Sequence, residues 1–123
     1  ATAFRSKGTK VAVGTVLPVY IPANMAYTNN HNARRAELNS LLRAAVGTKI
    51  DAVIDFAADT EIGDDADAAN KQYYQDGVHP TDGTQVGMIN GYARMATIYG
   101  PVMDTLLGSA TNPTPPQPPT TSP

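Results

Sequence analysis

The chain has 123 residues, a net charge of −2 and a sequence pI near 5.5, with hydrophobic residues at 41% and charged residues at 16%. That length allows one domain, the composition is globular, and no basic stripe exists to pair with phosphates, which speaks against nucleic-acid partners. Cysteine is absent, so a disulfide framework and a thiolate zinc site are both excluded, and no apolar run reaches the roughly 18 residues of a membrane span.

The first ten residues carry no apolar stretch of the kind a secretion signal needs. They begin without Met and read as the end of a helix leading into a strand, so the beginning of the domain is expected to be missing. Residues 10–19 (KVAVGTVLPV) form a short Val-rich run ended by Pro18, which fits a buried strand of a parallel sheet. Pro22 and the Asn-rich stretch after it predict a loop over 20–32. In residues 33–46, Leu38, Leu41, Leu42, Ala45 and Val46 recur at helical spacing, with Asn32 as N-cap and Gly47 as the stop. Residues 51–58 (DAVIDFAA) predict a second buried strand, and strand, helix, strand in succession is a βαβ unit.

Residues 59–70 are acidic and small, as in an exposed loop. Asp64, Asp65 and Asp67 lack the later Gly and Glu of a calcium loop, so a solvated acidic turn is expected there. Asp55, at a strand end, reads either as a brace for the rim of the sheet or as a turn cap. From Asp82 onward Val86, Ile89, Tyr92 or Ala93, Ala96 and Tyr99 fall at helical spacing, and Pro101 is expected to kink that helix or to begin a new one. Residues 111–123 (TNPTPPQPPTTSP) read as an extended Pro/Thr linker. The expected organisation is a domain over 1–108 and a linker or tail over 109–123.

The segment that carries chemistry is 76–81, Asp76-Gly77-Val78-His79-Pro80-Thr81. A carboxylate three residues before an imidazole, in a turn fixed by Gly and Pro, can accept a hydrogen bond from one ring nitrogen and so set the tautomer. The other nitrogen is then free to take a proton from a nucleophile. The same pair could also serve only to cap the next helix. Position distinguishes the two uses: the turn follows a strand–helix–strand unit and precedes an amphipathic stretch, in a chain with two histidines.

This segment resembles the last conserved block of the SGNH (GDSL-type) hydrolases, in which an Asp-x-x-His-Pro turn precedes the final helix. Residues 10–18 (KVAVGTVLP) look like the strand that ends in a Pro loop in these enzymes, the helix with Asn39 like the one that follows, and residues 51–57 (DAVIDFA) like the next strand. The likeness spans most of residues 4–107. It implies an α/β fold, the C-terminal half of a three-layer α/β/α sandwich with a parallel, flavodoxin-like sheet. It further implies ester hydrolysis through an acyl-enzyme, with no metal or organic cofactor, His79 as general base and then acid, and Asp76 orienting it. His31, in NNHN, reads as an exposed loop histidine, or, by the same resemblance, as a residue of the loop that lines the substrate cleft. Tyr74, next to Tyr73, reads either as an aromatic wall of the substrate site or as a packing residue.

The chain departs from the family in lacking a Gly-Asp-Ser segment, the oxyanion-hole Gly and a Gly-x-Asn-Asp segment. Of its serines, Ser6, Ser40, Ser109 and Ser122, none lies in a strand-to-helix turn that would present Oγ to His79. The chain alone is therefore expected to be inactive and to associate with the missing N-terminal half of its domain or with itself. The Pro/Thr tail resembles linkers of secreted carbohydrate-active proteins, which suggests an acetylated polysaccharide such as xylan as substrate and an extracellular location. A module that keeps the fold but binds glycan without turnover is the alternative. A phosphate-binding flavodoxin-like domain is disfavoured because no Gly-rich loop follows either strand.

Overall fold

The computed structural model describes residues 2–108; the expected linker at 109–123 lies outside the described residues, as do Ser109 and Ser122. A four-residue helix α1 (Thr2–Arg5) leads into strand β1 (Ala12–Gly14), and helix α2 (Met25–Ala44) returns the chain to strand β2 (Ala52–Ile54). After 3-10 turns at Phe56–Ala58 and Asp67–Ala69, the long helix α3 (Gly91–Leu107) closes the described chain. The strands pair in parallel with Ala12 opposite Ala52 and Gly14 opposite Ile54. Mixed helix and strand with a parallel strand–helix–strand pair is the pattern of the α/β class.

Both strands are shorter than the apolar runs that announced them, for a local reason. The ladder ends where the N–H of Thr15 donates to the Ile54 carbonyl at 3.0 Å. From Val16 onward the chain stays extended, but its peptide groups bond to side chains of α2 instead of to another strand. Asn39 accepts from the Val16 N–H at 2.8 Å and donates to the Val16 carbonyl at 2.9 Å. Asn32 does the same for Val19, both bonds at 3.1 Å, and the Thr28 hydroxyl serves Ile21. Each side chain offers one donor and one acceptor to one residue, as a neighbouring strand would.

This overturns the expected face of α2. The helix begins at Met25, with Asn24 as its N-cap, so most of the predicted 20–32 loop is helical and Asn32 is an interior residue. Thr28, Asn32, Arg35 and Asn39 are the buried residues of the helix, whereas Leu38 and Leu41 are 45% and 68% exposed. Arg35 donates to the carbonyls of Val16 and Gly63 and pairs with Asp65, clamping the acidic loop to the helix. Replacing Asn39 by Leu would leave the Val16 N–H without a partner and the Val16 carbonyl with Arg35 alone. We expect a loss of about 2–4 kcal/mol, read as a lower urea midpoint at unchanged slope, while Leu41→Asn changes stability by less than about 0.5 kcal/mol.

The last helix also starts later than its spacing suggested. Gly87 has φ +82, which interrupts the apolar periodicity, and Val86 is fully exposed. Helix α3 begins only after Asn90, whose side chain accepts from the Ala93 N–H at 2.7 Å. It then runs unbroken through Pro101 to Leu107, so the proline neither ends the helix nor starts a second one. Arg94 of α3 pairs with Asp59 at 2.8 Å and ties the helix to the segment after β2.

The buried cluster of Ile62, Ala68 and Tyr74, with Leu17, Tyr20, Tyr73, Met95 and Ile98 packed against it, lies among the connections beyond the sheet. Its Tyr74 pairs with Pro80 at the base of the loop that carries Asp76 and His79. Asp55 resolves as a brace of the rim: it accepts two hydrogen bonds from Arg43 of α2 at 2.7 Å and one from the Thr15 hydroxyl at 3.2 Å.

Candidate active site

Residues 75–79 form the tip of a narrow loop. Tyr74 and Pro80 make an antiparallel bridge, the Gln75 N–H donates to the His79 carbonyl at 2.9 Å, and the Thr81 N–H donates to the Tyr73 carbonyl at 2.7 Å. At the tip, one Asp76 carboxylate oxygen accepts from the N–H groups of Val78 and His79, at 2.9 and 2.8 Å. The second oxygen lies 2.7 Å from His79 Nδ1. The short Asp side chain thus bonds its own backbone two and three residues on, as aspartates in turns do. The imidazole is delivered to it by the same turn.

Gly77 is the residue that permits the arrangement. Its φ is +83, and a Cβ at this position would collide with the Tyr20 carbonyl. The Tyr20 N–H donates to the Gly77 carbonyl at 2.7 Å. This close approach anchors the turn to the segment that leaves the carboxyl end of β1. Functional groups in parallel sheets gather at that end.

Thr81 secures the other side. It is 1% exposed; its hydroxyl accepts from the Gly91 N–H at 3.1 Å and lies against the carbonyls of Gln72 and Ile89. The N–H of Tyr92 donates to its carbonyl. The hydroxyl therefore joins the turn to the start of α3. Neither the Tyr20–Gly77 contact nor this role of Thr81 was evident from spacing, although Gly after Asp and Thr after His-Pro were the visible signs.

The Asp76 carboxyl is held well below the usual carboxylate range, first by the His79 N–H, then by the imidazole, then by the Val78 N–H. A depressed folded value means these bonds stabilise the turn above the ordinary carboxylate range and are lost as pH falls through the depressed value. In a carbon-detected titration the Asp76 carboxyl should titrate below a peptide Asp. His79→Ala should raise that midpoint only in part, because the alanine keeps the backbone N–H. An unchanged midpoint, or a full return to the peptide value, would contradict this account.

The pair is open to solvent, with 66% of the His79 side chain and 52% of the Asp76 side chain exposed. Among the described residues, His79 Nε2 makes no hydrogen bond, which leaves it available to a proton donor. Ser6 is not placed to be that donor: it precedes β1, at the amino end of the strand, and its hydroxyl donates to the Ala3 carbonyl. Ser40 sits exposed on α2.

The two expected substrate contacts separate. Tyr74 is fully buried, and its hydroxyl donates to the Ile62 carbonyl at 2.6 Å. It is a core residue and cannot form a substrate wall, which settles the open choice in favour of packing. Burial also pushes its phenol well above the usual value. His31 is half-buried on α2, with Nε2 3.4 Å from the Leu17 carbonyl and its ring stacked on Tyr27. Asp65 and Asp67 of the acidic loop are occupied structurally, Asp65 by Arg35 and Asp67 by the Asp64 N–H. Among the described residues no group of three metal-ligating side chains converges, and no helix is long and apolar enough to cross a membrane.

No protein-family model, curated protein or solved structure matches the chain.

Proposed function

We propose that the chain supplies the Asp–His half of an SGNH-type serine ester hydrolase, within the C-terminal part of a three-layer α/β/α sandwich. The observation that carries this reading is the Asp76–His79 pair, joined at 2.7 Å with the free carboxylate oxygen fixed by two backbone N–H groups. An imidazole held at Nδ1 by a carboxylate presents Nε2 in the basic tautomer.

In the proposed reaction a serine hydroxyl, contributed by a segment outside these residues, attacks the ester carbonyl while Nε2 takes its proton. The same proton is then given to the leaving alcohol. Water repeats the sequence on the acyl-enzyme, releasing the acid and restoring the serine. Asp76 stays ionised throughout and stabilises the imidazolium. The oxyanion donors come with the serine segment, since the N–H groups of Val78 and His79 already donate to Asp76 and those at the start of α3 to Thr81 and Asn90. The substrate class we favour is an acetylated polysaccharide, in a protein acting outside the cell.

The test is turnover of p-nitrophenyl acetate and acetylated xylan by the chain, alone and together with a serine-bearing N-terminal half of an SGNH-type hydrolase domain. Turnover of acetylxylan is expected only in the combined sample. Failure of that sample to release acetate would overturn the hydrolase reading and favour a glycan-binding module. That second reading draws support from the absence of a serine beside His79 among the described residues.

A further inference from the structure

The outer edge of β2 is open. In the parallel ladder Ala52 and Ile54 turn their peptide groups toward β1, so the N–H and carbonyl of Val53 point away from it. Among the described residues neither Val53 group has a hydrogen-bond partner. Beside this edge lies a groove of about 530 Å³, with Val46, Ala52 and Val53 on one side and Pro101, Val102 and Leu106 of α3 on the other. Its one charged neighbour, Asp51, is already engaged by Arg5 at 3.3 Å and by the Val11 N–H at 2.8 Å. Strand β2 carries no lysine, proline or bulge of its own. A strand edge without such guards is a template for pairing, which proteins ordinarily cover.

The chain leaves α3 at the lip of this groove. Arg94, near the start of α3, pairs with Asp59 beyond the carboxyl end of β2, whereas Pro101 to Leu106 lie beside Ala52 and Val53. Helix α3 therefore runs antiparallel to β2. Gly108, two residues after Leu106, has φ +65 and turns the chain off the helix axis. A segment returning along the groove from there runs parallel to β2. The next residues, 109–123, have no charged side chain and include six prolines, so their composition suits an apolar groove.

We propose that residues 111–116 (TNPTPP) of this same chain dock in the groove as an edge strand parallel to β2, with Pro113 opposite Val53. In a parallel pair a residue bonds the carbonyl before its partner and the N–H after it. The Val53 N–H then donates to the Asn112 carbonyl, and the Thr114 N–H donates to the Val53 carbonyl. The alternation Asn-Pro-Thr-Pro fits this arrangement. The peptide groups of Asn112 and Thr114 turn inward and need their N–H groups, whereas those of Pro113 and Pro115 turn to solvent, where a missing N–H costs nothing. The reach suffices: Gly108 to Asn112 is four residue steps, up to about 13 Å when extended, and Leu106 already shares the groove with Val53. The docked prolines present an edge that refuses a further strand, so a completing segment is left the outer edge of β1, where Ala12 and Gly14 turn their peptide groups.

The experiment is amide hydrogen exchange on the full 123-residue chain, read residue by residue in nitrogen–proton spectra. The Val53 and Thr114 amides are expected to exchange at least about tenfold more slowly than in an unstructured peptide. Thr114→Pro deletes the donor and sets a ring against the Val53 carbonyl, so it should speed Val53 exchange by about tenfold or more. Thr114→Ala keeps the N–H and should leave Val53 protected. Both substitutions fall after the last helix, and unchanged dispersion of the other amides checks the fold. Exchange of Thr114 at the peptide rate, or equal Val53 protection in the two variants, would overturn the proposal. Val53 protection that survives Thr114→Pro and rises with protein concentration would assign the edge to a second copy of the chain instead. Ester turnover does not enter the readout, so the docking stands or falls apart from the hydrolase reading.

Discussion

Replacing His79 by Ala in the serine-complemented chain is expected to reduce kcat by about 10⁴-fold or more, with KM changed little. Nothing else at the turn replaces the imidazole as base: the Asp76 carboxyl is held well below the usual carboxylate range, and one of its oxygens stays engaged by the N–H groups of residues 78 and 79. The turn itself should survive: its bonds to Asp76 come largely from backbone N–H groups, which alanine retains. Asp76→Asn should also lower kcat strongly, since an amide presenting its NH₂ to Nδ1 favours the tautomer with the proton on Nε2. A His79→Ala protein that still turns over acetylxylan at the parent rate would remove His79 from the mechanism.

The second large effect is on stability, at Gly77→Ala. Two costs combine there. A residue with a Cβ at φ +83 pays about 1–2 kcal/mol, and the added carbon meets the Tyr20 carbonyl, which is backbone and hydrogen-bonded in place. We expect a combined loss of about 3 kcal/mol or more, lowering Tm by roughly 12–20 °C for a domain of this size. Gly87→Ala supplies the comparison, because its φ is +82 but nothing lies within 4 Å of the added carbon. It should lose only the conformational part. Equal melting losses in the two variants would show that the Tyr20 contact is not what makes Gly77 necessary.

Much of the Asp–His pair was legible because it is local. Asp76 and His79 are three residues apart, and the groups that hold them come from the same loop, so spacing alone carries their geometry. The parallel strands were legible from their β-branched runs, and their order from the helix between them. Helix α2 was misread for an instructive reason. Apolar periodicity assumes that a helix buries its greasiest face, yet the partner of this helix is an extended segment with open peptide groups. Amides and hydroxyls satisfy such groups and leucines do not, so Asn32 and Asn39 face inward while Leu41 faces out.

Tyr74 was ambiguous because a tyrosine beside a reactive loop can point either way. Its neighbour Tyr73 is the half-buried one, and only the bond to the Ile62 carbonyl decides the inward direction. The late start of α3 was hidden because Val86 and Ile89 fall on the helical period, while the left-handed backbone of Gly87 between them breaks the helix. For Tyr74 the missing information was a contact with a residue elsewhere in the chain, and for α3 it was the local backbone conformation of Gly87.

The amide-lined face of α2 also changes how the protein tolerates variation. A greasy interface accepts many side chains of similar volume and can slide by part of a turn. Asn39 on Val16, Asn32 on Val19 and Thr28 on Ile21 accept almost no substitute and allow no sliding. A shift of one residue would set every amide against the wrong peptide group. The helix therefore works as a key cut for one lock, with its polar teeth under constraint and its leucines free to drift, so polar positions rather than apolar ones are where lineages of this chain would be held alike.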